Sequence, residues 1–250
     1  MKKHKSVFGI LGVALLLPLT ASAVDYDLTA GGSQTINGGI FQTTTIQTTG
    51  TGVIEPFLRL QNKDNEAGLN SDEGNGEVFA DTKVGAWTHD VQLKDLATTT
   101  IMGELYLGFL LDINQTSANP TILFNRFDLY VNPASITDGE QDTVSDLDQF
   151  IWGMGNNTLL LNYDLNPGSG AGDLLIFAPV SYFMGLGLTA DDFLYVHTEF
   201  CGSNDGFEEF ATFGTPSPTL FNVPDGGATV AFLGLALVGM GLISRRQLAA

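Results

Sequence analysis

From Thr121 to Val131 the chain reads TILFNRFDLYV, with apolar side chains on alternate positions. A two-residue period marks a strand with one covered face. Leu123, Asn125, Phe127, Leu129 and Val131 share one side, and Phe124, Arg126, Asp128 and Tyr130 the other. The first side is the more apolar and is expected to point inward. Similar short runs recur over 39–48, 52–60, 86–93, 101–113, 158–165, 173–179 and 192–200, set apart by Gly, Asn, Asp and Pro. No helix-period pattern of useful length interrupts them between Val24 and Asn222. Short strands with turn signals and no helices predict an all-β fold, an antiparallel β-sandwich of jelly-roll-like form, with a barrel as the second choice. The threonine-rich QTINGGIFQTTTIQTTGTG suits a half-exposed pleated surface, and also reads as a stiff, glycosylatable stalk. The polar segments 61–77 and 132–149 read as loops. GSGAGD, 168–173, reads as a hairpin connection, because it lacks the strand-to-helix setting of a phosphate loop.

Two apolar runs stand apart from this pattern. Val7 to Leu19 follows Lys2, Lys3 and Lys5, and precedes Ala21-Ser22-Ala23. A basic head, an apolar stretch and a small-x-small site form an export signal, so the mature chain is expected to start at Val24, through the Sec translocon. The second run, Gly226 to Ile243, is uncharged and about eighteen residues long, close to the lower limit for a span. Arg245 and Arg246 follow and should stay on the cytoplasmic side, leaving the body outside. Gly234, Gly239 and Gly241 offer a small-residue face to another membrane helix. The expected divisions are a signal peptide at 1–23, a β-sandwich domain at 24–201, a linker at 202–222 and a sorting tail at 223–250.

The stretch ahead of the second run, NVPDGG, is extended and open, because Pro224 blocks helix and glycines follow. Together with the apolar run and the arginines it resembles the PEP-CTERM sorting signal. Val223 and Pro224 match that pattern, whereas Asp225 stands where the family usually has Glu, and Gly226 where it has Pro. The tail is thus similar to V-P-D-type variants. The resemblance implies a membrane-embedded exosortase as partner, a transient inner-membrane anchor, and release to the cell surface or an extracellular, biofilm-type matrix. In the body, TGVIEPFLRLQ, DTKVGAWTHDVQLKDL, YLGFLLDINQ, LFNRFDLYV, LLLNYDLNPGSGAGDLLIF and NDGFEEFATFG resemble the blocks of uncharacterised PEP-CTERM proteins. That likeness spans 51–214 and implies an extracellular β-rich domain, but no chemistry.

Charge narrows the partners. The chain has 28 acidic and 10 basic residues. Five of the basic ones lie in the signal and tail, and so does Asp225, which leaves a body of net charge near −22. Such a body repels phosphate backbones and anionic lipids, so nucleic acid is excluded as a partner. Divalent cations and neutral polysaccharide are admitted. Cys201 is the only cysteine, so no internal disulfide can form; it reads as a small buried filler.

No catalytic signature emerges from the remaining residues. His89 and His197, the histidines of the body, fall in expected strands without a second ligand at metal spacing. A pairing of His89 with Asp90 is disfavoured because neighbours on a strand face opposite sides, so both histidines read as structural or surface residues. Glu208 and Glu209 are adjacent, whereas a glycosidase needs two carboxylates facing one another across a sugar. Loops rich in Asp and Asn suit Ca²⁺, and Asp72, Asp112, Asn114, Asp205 and Glu208 are the candidate ligands. Two functions are carried forward. The first is a non-catalytic surface or matrix protein binding polysaccharide or Ca²⁺, with Trp87 and Trp152 as a stacking platform. The second is a secreted hydrolase acting on glycan.

Overall fold

The computed structural model describes residues 23–46, 55–71, 87–136, 143–168, 170–216 and 220–221. The signal region through Ser22 and the tail from Asn222 onward lie outside them, as do Asp72 and both arginines of the sorting tail. Among the described residues no helix is long and apolar enough to cross a membrane.

Half of the described residues are in strands and only 7% in helical turns. In chain order the strands are β1 Asp25–Asp27, β2 Ser33–Ile36, β3 Gly39–Thr43, β4 Leu58–Leu60, β5 Asp64–Leu69, β6 Val91–Gln92, β7 Ala97–Ile101 and β8 Glu104–Asp112. Then come β9 Thr121–Asn132, β10 Gln149–Gly153, β11 Thr158–Asn162, β12 Leu174–Pro179, β13 Phe193–Ser203, β14 Glu208–Thr212 and β15 Thr215–Pro216.

They form two sheets. The first runs β1-β11-β9-β13-β5, with β10 also on β9 and β6 also on β13. The second runs β15-β7-β8-β12-β3-β2, with β14 bridging β8 to β4. Every pairing is antiparallel except β1 with β11. Among the described residues neither sheet closes into a barrel. Two long strands organise the layers. β9 carries β11 on its first residues and β10 on its last, with β13 along its other edge. β8 is arranged alike, carrying β7 and then β14, with β12 opposite. Aromatic side chains cross between the sheets: Phe109 of β8 lies 5.4 Å from Phe127 of β9, and Phe41 of β3 lies 6.1 Å from Trp152 of β10. These rings belong to one continuous apolar core.

Several expectations need correction. The alternation in β9 is broken at Asn125, where Glu199 pairs with Arg126 but Phe200 pairs with Phe124. This bulge inserts one residue and reverses the facing of everything before it. Ile122 and Phe124 therefore join Phe127, Leu129 and Val131 in the core, and Leu123 and Asn125 do not. The run 101–113 splits at Met102 and Gly103, both with positive φ (52° and 90°), so β7 and β8 form a hairpin with a two-residue turn. The run 86–93 reduces to β6 followed by the 3-10 turn Leu93–Asp95. The run 52–60 keeps only β4 among its described residues. Part of the polar segment 61–77 is β5, held on β13. The stretch 202–222, expected as a linker, contains β14 and β15, and its Phe221 is buried against Phe183 at 5.9 Å. GSGAGD does not join a hairpin either, because β11 and β12 belong to different sheets and this loop crosses between them.

Candidate functional site

Two places in the body gather polar chemistry. The first is a groove of about 460 Å³ lined by Glu55, Pro56, Phe57, Trp87, His89, Val91, Asp95 and Thr212. Its wall is irregular chain held by specific bonds. Thr88 Oγ1 accepts from Arg59 N at 3.1 Å and donates to Arg59 O at 3.3 Å, and His89 N donates to Phe57 O at 3.0 Å. Behind it the fully buried Asn70 donates to His89 O and Leu194 O, and accepts from Val196 N at 2.6 Å. Trp87 stays 40% exposed at this wall. The Arg59 guanidinium lies over its ring at 5.1 Å and over Phe207 at 4.1 Å, which fixes the plane of the indole.

The second place is a corner where the blocks LLDINQ, GSGAGD and SNDGFEE meet. Side-chain amides knit it together. Asn114 Nδ2 donates to Phe207 O at 2.8 Å, Thr116 N to Asn204 Oδ1 at 2.8 Å, and Asn204 Nδ2 to Asn119 O at 2.8 Å. Gly206, with a φ of 67°, lets this turn close against the Asn114 side chain, where a Cβ would collide.

Two carboxylate pairs are buried in the corner. Because Glu208 and Glu209 are neighbours on β14, they face opposite sides of the sheet. Glu208 points inward, fully buried, hydrogen-bonded to Glu66 and accepting from Gln115 Nε2 at 2.7 Å. Burial, and then the Glu66 charge, raises its carboxyl well above the ordinary range. Glu209 lies opposite Asp112 across the ladder, pushed up by burial and opposed by the Arg59 charge. Asp112 pairs with Asp173. Its Oδ2 accepts from Gly170 N at 2.6 Å, and Asp173 Oδ2 accepts from Ile113 N at 2.8 Å. Burial pushes Asp112 up to about 7 against the Gly170 bond, with the Glu209 charge adding. Burial likewise pushes Asp173 up to about 9, against the Ile113 bond and with the Asp112 charge adding.

The candidate ligands are thus partly gathered and partly scattered. Asp112 and Asn114 share this corner, and Glu208 occupies its inward side. Asp205 is exposed and accepts from Gly206 N at 3.0 Å. Asp72, Val223, Pro224, Asp225, Gly226, Arg245, Arg246 and Ala21 lie outside the described residues. Ala23 and Val24 are exposed, and Val24 N donates to Asn157 Oδ1 at 3.2 Å. Among the described residues no group of three or more His, Cys, Asp and Glu side chains could hold a metal ion. Reading the sequence missed Glu66 and Asp173, because a carboxylate gives no local sign of a buried partner on a distant strand.

The remaining candidates have structural places. Trp152 is 2% exposed and donates from Nε1 to Asn37 O at 2.8 Å, so it is a core residue and no part of a platform. His197 is buried on β13, its Nε2 3.8 Å from Glu199 Oε1, while Arg126 bridges Glu199 at 2.7 Å and Asp128 at 3.0 Å. His89 lies in irregular chain, not in a strand, and Asp90 accepts from Tyr195 Oη at 2.9 Å and from Ser135. Cys201 is a free, half-buried thiol. Compared with known protein families, curated proteins and solved structures, the chain matches none of them.

Proposed function

We propose that this chain is a non-catalytic exported protein of the cell surface or extracellular matrix that binds polysaccharide in the Trp87 groove. The observation that carries the reading is the half-exposed indole, held flat by Arg59, at the wall of a 460 Å³ groove. A flat aromatic plate matches the C–H face of a pyranose ring, and Glu55, Asp95, His89 and Thr212 can bond its hydroxyls. The volume falls within the range of small-ligand clefts. The acidic body disfavours phosphate and anionic lipid, which leaves neutral glycan as the fitting class. In this reading the two facing sheets make a jelly-roll-like β-sandwich that presents the groove. The tail with Val223, Pro224, Asp225 and Gly226, its apolar span and its arginines acts as an exosortase sorting signal, holding the body outside the inner membrane until it is cut.

Affinity electrophoresis of the full chain through gels containing neutral polysaccharides tests the binding. Wild type should be retarded by at least one of them, and Trp87→Ala should lose about tenfold in affinity without a change in thermal midpoint. Equal retardation of wild type and variant would refute the groove as the site. The alternative, a glycan-acting hydrolase, rests on Glu55 and Asp95 lining the same groove. It predicts new reducing ends on incubation with the bound polysaccharide, lost in Glu55→Gln. The buried acid pairs do not support it, since Asp112 and Glu208 are wholly inaccessible and Asp173 is 6% exposed. For the tail, mass spectrometry of the exported form should show loss of everything after about Asp225; an intact C-terminus in the inner membrane would refute the sorting reading.

A further inference from the structure

Three of the eight exposed large apolar side chains among the described residues, Tyr182, Met184 and Leu186, fall within one stretch of five positions. The others are scattered, as single exposed apolar residues ordinarily are. The cluster lies in the connection from β12 to β13, where the chain passes from one sheet to the other. Phe183 and Leu188 root this loop in the core, and Tyr182 Oη donates to Asn37 O at 3.3 Å. Beyond that root the loop stands clear of the body. Gly185 and Gly187 turn it with φ of 79° and 76°, and a Cβ at either would meet nothing within 4 Å. No charged residue occurs from Leu174 to Ala190, although the body is strongly acidic. The two acids at the foot of the loop are tied down: Asp191 pairs with Lys94 at 2.9 Å, and Asp192 accepts from Thr189 N at 2.9 Å.

The place where the chain leaves the body decides what meets this loop. Phe221, the last described residue, is buried and packs on Phe183 at 5.9 Å. Gly226, where the uncharged apolar run begins, is five positions further on, a reach of at most about 17 Å. With that run in a bilayer, the headgroup layer takes up about 5–8 Å of this reach. The root of the loop is then held within about 10 Å of the lipid surface, whatever the orientation of the body. We propose that Tyr182, Met184 and Leu186 dip into the outward-facing leaflet and seat the body on the membrane until the tail is cut. This inference rests on the sorting reading of the tail. A tyrosine suits the headgroup level, with an apolar ring and a polar Oη, while Met184 and Leu186 supply the apolar contact below it. The lipid is zwitterionic, because the loop offers no Lys or Arg to an anionic headgroup and the body repels one. Three side chains are too few to hold the body once the tail is gone, so the contact does not oppose release.

Peroxide footprinting of the full chain in phosphatidylcholine vesicles, read by mass spectrometry, tests the contact. Met102, at 102% exposure in the β7–β8 turn, is the internal reference for Met184, at 61%. Exposure alone allows about a twofold difference in their oxidation, whereas lipid cover should slow Met184 by about tenfold or more. Leu186→Asp puts a charge into the loop and should return Met184 to within about twofold of Met102. Flotation with the vesicles after an alkaline wash, lost when residues 226–250 are deleted, reports the tail alone. If the chain floats and Met184 is oxidised within about twofold of Met102, the loop contact is overturned and the tail reading stands. If the chain does not float, both fall. Protection of Met184 that survives Leu186→Asp, or that disappears when the protein is diluted in lipid, means that the tail or a second copy covers the loop, and overturns the proposal too. Should Leu186→Asp fail to fold, the wild-type rates at Met184 and Met102, compared at high and low protein-to-lipid ratio, decide alone.

Discussion

Glu208→Gln tests the inward acid pair by changing one atom. Glu208 is fully buried, hydrogen-bonded to Glu66, and accepts from Gln115 Nε2 at 2.7 Å. Burial and the Glu66 charge raise its carboxyl well above the ordinary 4.5. In the unfolded chain both acids are ionised above about pH 5, so folding must take up a proton. Stability from this pair is therefore complete below the ordinary value and is lost as pH rises toward the folded one. For one proton the loss per pH unit within that window is about 1.4 kcal/mol. Glutamine keeps the shape. Its carbonyl oxygen retains the Gln115 bond, and its amide donates to Glu66 without borrowing a proton. Against this stands the weaker hydrogen bond of an amide compared with a charge-assisted carboxyl, a constant loss of about 1 kcal/mol. The variant should be near wild type at pH 5 and gain on it steadily as pH rises from there. Urea unfolding of both proteins at pH 5, 6 and 7 in EDTA measures the difference. A difference that stays flat over that range means that no proton is taken up, and refutes the argument.

Three further outcomes follow from packing. Phe124 is fully buried and stacked on Phe200 at 4.7 Å, so Phe124→Ala should cost about 3–5 kcal/mol in urea unfolding, whereas Leu123→Ala, on the opposite face of the sheet, should cost about 1 kcal/mol. A Cβ at Gly108 would strike the Phe213 carbonyl, whose own N–H bonds Gly108 O at 2.7 Å; Gly108→Ala should therefore lower the thermal midpoint far more than Gly103→Ala, which meets open space and pays only for its φ of 90° at about 1 kcal/mol. Asn204→Ala removes the bonds to Gln115, Thr116 and Asn119 and should raise exchange in the 113–119 loop while leaving the groove's affinity unchanged.

Runs of apolar and aromatic residues bounded by turn residues made β9, β12 and β13 legible from sequence, with or without a clean period of two. The acidic bias and the want of cystine were equally plain, being properties of composition. The bulge at Asn125 was not, since an inserted residue changes facing without changing composition. Nor were β5 and β14, which lie in polar stretches that read as loop and linker; they are strands because β13, β8 and β4 offer them ladders. The two tryptophans make the point most sharply. Trp152 sits in the core and Trp87 at the groove, although both lie in short apolar runs of similar character. Likewise Glu66 meets Glu208, and Asp112 meets Asp173, only through strands far apart in the chain. Local pattern sets which residues can share a face; which face meets another, and which acid meets its partner, depends on long-range pairing that no window of sequence contains.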